Sequence, residues 1–182
     1  MRGPHARAPN KRSRLAARGV MITAGVQPGA PSIPDWKAID QVRQGIKVPA
    51  ILKGVMTPQD AQTAVSHGFQ GIVVSNYGGP AFPATDSSIL VLPAIADVVG
   101  NQATILVDGG IRRGSDVLKA LALGAHAVLL GRPAAWSLAA YGSDGVQNML
   151  QLIHNELGRD MVMCGLVTPR TITRAAVTIH RR

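Results

Sequence analysis

The chain has 182 residues, enough for one domain with a sizeable core, and that core must be aliphatic because 46% of residues are hydrophobic but only 3% aromatic. A single cysteine, Cys164, excludes an internal disulfide and suits a reducing compartment, and no apolar run approaches the roughly 20 residues of a membrane helix. The net charge of +9 argues less for nucleic acid than it first suggests: Arg2, Arg7, Lys11, Arg12, Arg14 and Arg18 all precede the first acid, Asp35, and the remainder carries only about +3, an ordinary surface.

Residues 1–34 therefore read as a basic arm rich in Gly, Pro and Ala, expected to be disordered. A transit peptide or an anion-binding arm would have the same composition. Residues 35–182 form the folded domain in this reading. Within it, "PAILK" (49–53) is a short apolar strand. "TPQDAQTAVSHG" (57–68) is a helix, with Thr57 as N-cap, Pro58 at its first position and Gly68 just past its end. "GIVVS" (71–75) is the next strand. "SSILVLPAIADVVG" (87–100) is helical, interrupted or restarted near Pro93. "ATILV" (103–107) is a strand, and "SDVLKALALG" (115–124) a helix capped by Ser115 and closed by Gly124. "AVLL" (127–130) is a fourth strand. "PAAWSLAAYG" (133–142) and "SDGVQNMLQLIHNEL" (143–157) are helical, the pattern running on toward Gly165. Residues 172–177 offer a last short helix.

Strands nearly continuous in Ile, Val and Leu, alternating with helices, indicate a parallel sheet buried on both faces. Four strand–helix units fit, whereas a closed (β/α)8 barrel needs roughly 250 residues. The expected fold is thus α/β: half of a TIM barrel, or a small open sheet.

In such folds chemistry gathers where strands end and helices begin. Lys53 ends the first strand, either as a solvated tip or as a cation aimed into a site. "VDGGIRRGSD" (107–116) and "LGRPAA" (130–135) each place arginine just before a helix. That end already carries about half a positive charge, so Arg112, Arg113 and Arg132 are unfavourably placed unless an anion binds there. Glycines that permit close backbone approach make phosphate the natural anion. Asp108 either pairs with one of these arginines or accepts hydroxyls from a sugar-like chain on the phosphate. The loops together describe a phosphorylated cofactor carrying a polyol or ribose.

"ILKG", "GIVVSNYGG", "LVDGGIRRGSDVLKALALGAHAVLLGRP" and "GVQNMLQLIHNEL" resemble the C-terminal half of the FMN-dependent 2-hydroxy acid oxidoreductases, the family of glycolate oxidase, lactate oxidase, and lactate and mandelate dehydrogenases. The resemblance covers about residues 35–178. It implies a TIM barrel with FMN at its C-terminal mouth and a small 2-hydroxy acid as substrate. It also implies Lys53 beside the flavin pyrimidine edge, Ser75 on the flavin, Asp108 on the ribityl chain, and Gly109, Arg112, Gly131 and Arg132 around the phosphate.

The loop after the strand "GIVVS" departs from the family. It reads Ser-Asn-His-Gly-Gly-Arg there, the histidine taking the substrate's proton and the arginine holding its carboxylate. Here Tyr77 stands at the histidine position, Pro80 at the arginine position and Pro83 at a following aspartate. Tyr77 is the catalytic candidate by position, yet a free tyrosine has a pKa near 10 against about 6.5 for histidine. His67, His126 and His154 are not placed to substitute. The family's first four strands have no counterpart in this sequence. A chain of this kind is expected to be cytoplasmic, without activity in isolation. It is also expected to need partners: copies of itself, or a complementing N-terminal half-barrel.

Overall fold

Five parallel strands lie side by side in the order in which the chain makes them. The computed structural model describes residues 20–23, 35–79 and 86–179. The strands are β1 (Val20–Thr23), β2 (Ala50–Val55), β3 (Gly71–Val74), β4 (Thr104–Val107) and β5 (Ala127–Val128). The helices are α1 (Trp36–Gln44), α2 (Pro58–Ser66), α3 (Ser88–Val99), α4 (Gly114–Ala122) and α5 (Arg132–Met163), followed by 3-10 turns at Pro169–Thr171 and Arg174–Ala176. Parallel crossovers are right-handed. A strand order that never reverses therefore puts every helix on the same face and curls the sheet into an arc. A doubly wound sheet would have to reverse.

The core lies between that arc and its helices. Leu52, Ile72, Val74, Ile105 and Val107 face Ala61, Ala64, Leu92, Ile95 and Val99 across it. Val73 is fully buried yet stands outside this cluster, so it points to the concave face. There it belongs to a row in register across all five strands: Thr23, Lys53, Val73, Leu106, Ala127. Thr23 and Ala127, at the two ends of the row, are exposed. The concave face is thus only partly covered, and β1 and β5 are open edges among the described residues.

Local chemistry explains most of the elements. The Thr57 hydroxyl accepts from the Asp60 amide, and Pro58 begins α2 as the sequence predicts. α3 runs through Pro93 without interruption. α5 is two helices merged across Gly142, which takes φ 64° and ψ −150° at the predicted break. Three features differ from expectation. Val20–Thr23, inside the stretch read as an arm, pairs with β2 as a fifth strand. α1 is a helix that the sequence pattern does not announce. It starts where the Asp35 carboxylate accepts from the Ala38 amide, and it buries only Ile39. Finally, α4 is capped by Asp116 rather than Ser115: the Asp116 carboxylate accepts from the amides of Arg112 and Arg113. The rest of the basic stretch, and Pro80 and Pro83, lie outside the described residues.

Candidate functional site

The C-terminal ends of β2, β3 and β4 and the start of α5 open on one cavity of about 450 Å³. Lys53, Tyr77, Asp108, Arg112, Gly131 and Arg132 line it, with Gly109 beside Asp108. Ser75 stands just beneath, fully buried, and its hydroxyl accepts from Lys53 Nζ at 2.9 Å. The residues that the resemblance assigns to the flavin, and Tyr77, are thereby brought together; Arg113 is not among them. A second cavity of about 440 Å³ shares the Gly109–Gly110 loop and Arg132, and runs toward Ser88 and Lys119. A larger cavity, about 670 Å³, lies outside the mouth between α3, α4, the end of α5 and the C-terminal turns, and is lined by none of the candidate site residues.

Three cations, Lys53, Arg112 and Arg132, line the mouth cavity against one carboxylate, Asp108. The Lys53 ammonium donates to Asp108 Oδ2 as an ion pair in which each side chain is under one-fifth exposed. The other carboxylate oxygen, Oδ1, is buried and has no hydrogen-bond partner among the described residues. A buried acceptor in that state costs free energy until a donor arrives. A polyol hydroxyl is such a donor, so this atom fits a ribityl chain. The excess of cations fits a phosphate, which carries between one and two negative charges at neutral pH. Glycine suits the lining in two ways. At Gly109, with φ 93°, a Cβ would crowd Ser88 Oγ at 3.3 Å. At Gly110 and Gly131 a Cβ would meet nothing within 4 Å and would merely fill the cavity.

The three arginines do not act together. Arg112 lies 6.0 Å from the Trp136 ring, and Arg132 Nη2 donates to the Gly78 carbonyl at 3.4 Å, both at the cavity. Arg113 turns away, two-thirds exposed, and donates to Glu156 Oε1 at 2.8 Å. Glu156 Oε2 also accepts from the Gly114 amide at 2.9 Å. The start of α4 is therefore neutralised by Asp116 and Glu156, not by a missing anion. Only the start of α5, which has no acid in its first turn, keeps the unfavourable arrangement. The Arg113 hydrogen bond, helped by the Gly114 amide, holds the Glu156 carboxyl below its ordinary value of 4.5. The same bond raises the Arg113 guanidinium.

Tyr77 adopts φ 58°, the only positive φ outside glycine among the described residues. A bulky side chain there costs about 1–2 kcal/mol. Its hydroxyl donates to the Lys53 carbonyl at 3.0 Å, and its amide donates to Ser75 Oγ at 3.2 Å. The phenol proton is thus engaged by a backbone acceptor. Sequence reasoning does not single out the residues that shape this loop. Asn76 Oδ1 accepts from the Gly78 amide, and Ser88 Oγ, 2% exposed as a residue, accepts from the Asn76 amide. An Asn two residues before a glycine is a turn signal that could have flagged the first. His67 meets Asp40 and stacks on Trp36, and His126 accepts from the Ile105 amide at the far end of the sheet, so neither reaches the mouth.

A family model described as "FMN-dependent dehydrogenase" matches residues 6–179. An L-lactate dehydrogenase of Azorhizobium caulinodans is 49% identical over 144 residues, 79% of this chain and 38% of that protein. A pre-mycofactocin synthase of Mycolicibacterium smegmatis is 42% identical over 187 residues, 96% of this chain and 47% of that protein. Among solved structures, a mandelate oxidase variant with a monooxide FMN adduct superposes with a TM-score of 0.81 at 38% identity, covering 87% of this chain and 54% of that one. The chain spans less than half the length of these curated relatives.

Proposed function

The chain belongs to the FMN-dependent dehydrogenase family, and from that membership we propose that it is the flavin-holding half of a TIM barrel that oxidises a small 2-hydroxy acid to its 2-oxo acid. One observation carries the reading: Arg112, Arg132 and a carboxylate with an unsatisfied buried oxygen meet at one cavity on the strand ends. Arg112, Arg132, Gly109 and Gly131 would hold the phosphate, Asp108 the ribityl chain, and Lys53 with Ser75 the edge of the flavin ring. Bound FMN would supply the redox chemistry, taking the hydride equivalent from the substrate. What this chain supplies is charge, orientation and a wall against water.

We do not expect it to turn over alone. The residue at the family's base position, Tyr77, spends its proton on the Lys53 carbonyl, and a phenolate could not make that bond. Proline at position 80 carries no cation for a substrate carboxylate. Among the described residues the partly covered concave face and two unpaired strand edges support a need for the remainder of the barrel, whether on the same polypeptide or on a second chain. No helix among the described residues is long and apolar enough to cross a membrane. A cytoplasmic location is part of the proposal. The test is flavin titration of the purified chain. Quenching of FMN fluorescence with saturation is expected, with weaker binding of riboflavin, which lacks the phosphate. Anaerobic addition of L-lactate or mandelate should leave the bound flavin oxidised. No binding of FMN at any concentration overturns the cofactor reading, and bleaching overturns the claim of inactivity.

A further inference from the structure

Tyr77 is built into the end of β2 in a way that its position in the loop does not require. β2 and β3 pair Lys53 with Val73 and then Val55 with Val74, so Gly54 is an extra residue bulged out of the ladder. It takes φ 107°, and a Cβ there would overlap the Tyr77 hydroxyl. That hydroxyl donates to the carbonyl of Lys53, the residue next to Gly54, at 3.0 Å. The Tyr77 ring lies beneath the Lys53 ammonium, 5.3 Å from Nζ to the ring centroid. The Tyr77 amide and the Lys53 ammonium share one acceptor, Ser75 Oγ. Phenol, bulge and hydroxyl therefore act on one side chain from three directions: Tyr77 fixes the Lys53 backbone, supports its charge, and holds the serine that receives it.

We propose that Tyr77 is a positioning residue for Lys53, seated on Gly54, and not a proton acceptor. Its work is to keep the ammonium aimed into the mouth cavity beside Asp108. The functional meaning rests on the reading of Lys53 as a flavin-facing cation, but the positioning can be measured without flavin. The full chain, free of cofactor, is treated with a limiting amine-reactive reagent, and modification of each lysine is followed by peptide mass spectrometry. Exposed Lys37 is the internal reference. In Tyr77→Phe, which keeps the ring, Lys53 should react about fivefold faster, the factor corresponding to one hydrogen bond of about 1 kcal/mol. Gly54→Ala, which displaces the phenol from its seat, should do the same with the tyrosine intact. A merely structural tyrosine would lower the melting temperature and leave Lys53 reactivity in the folded protein unchanged. That outcome in both folded variants overturns the proposal. FMN titration of Tyr77→Phe separates the two readings. Faster labelling with unaltered FMN affinity supports the positioning role and counts against Lys53 as a flavin contact.

Discussion

Arg112 and Arg132 sit at the same cavity while Arg113, between them in sequence order, does not, and this divides three similar side chains by what they can do. A charge-assisted hydrogen bond contributes about 1.5–3 kcal/mol, so Arg112→Ala or Arg132→Ala should each weaken FMN about 10- to 100-fold. Riboflavin, without the phosphate, should bind both variants as it binds the parent. Arg113→Ala should leave FMN affinity unchanged. Fluorescence titrations of the two ligands check all three variants, and equal losses for FMN and riboflavin would mean the arginines do not hold a phosphate. By local charge pattern alone the three arginines look alike. Each stands in a glycine-containing loop where a helix begins; the family resemblance favours Arg112 and Arg132, but the reason Arg113 turns away is its partner. That partner, Glu156, is 43 residues away on another element, beyond the reach of any local pattern. Lys53, by contrast, is legible, because a cation ending a buried strand has few places to point.

At the level of elements the joint between α4 and α5 governs how firmly the mouth is built. Gly114 opens α4 against the α5 backbone so closely that a Cβ would overlap the Leu157 amide. Both sides of that contact are backbone, so neither can yield. Gly114→Ala should destabilise by about 1–3 kcal/mol or more, read from urea or thermal unfolding. Gly158, on the same helix, has open space where a methyl group would project, with nothing within 4 Å, and Gly158→Ala should stabilise by up to about 1 kcal/mol through helix propensity. The joint also responds to pH. Glu156 is held below its ordinary carboxylate value by Arg113 and the Gly114 amide, so its folded form binds a proton less readily than its unfolded form. Its contribution is complete above the ordinary value of 4.5 and is lost as pH falls through the lowered folded value. Thermal unfolding from neutral to acid pH should show a steeper decline for the parent than for Glu156→Gln. Parallel declines would remove this pair from the acid sensitivity. Elements with their own caps, such as α2, can be read from the sequence. β1 cannot: four residues in a basic stretch become a strand only because the edge of β2 is there to pair with.

The described residues form an arc whose helices cover one face, and the molecule's stability problem follows from the other. The row Thr23, Lys53, Val73, Leu106, Ala127 would stand inside a closed barrel, where eight strands fill the interior with side chains. Here the row ends in exposed residues, β1 and β5 keep unpaired edges among the described residues, and Met21 on β1 is nearly half exposed. Open strand edges beside a partly covered face favour association. The isolated chain should therefore bind a hydrophobic dye and elute as oligomers in light-scattering chromatography, with the oligomeric fraction rising with concentration. Supplying the N-terminal half of a relative such as the lactate dehydrogenase should suppress both signals and tighten FMN, because the added strands close the edges and complete the pocket. The same logic limits what repair of the loop can do. Tyr77→His with Pro80→Arg should give no turnover in the isolated chain, since half the pocket walls are absent, and it removes the hydroxyl that holds the Lys53 carbonyl. A monomeric, dye-silent chain would mean that the concave face is already satisfied. Turnover by the double variant alone would mean that the arc is a sufficient active site.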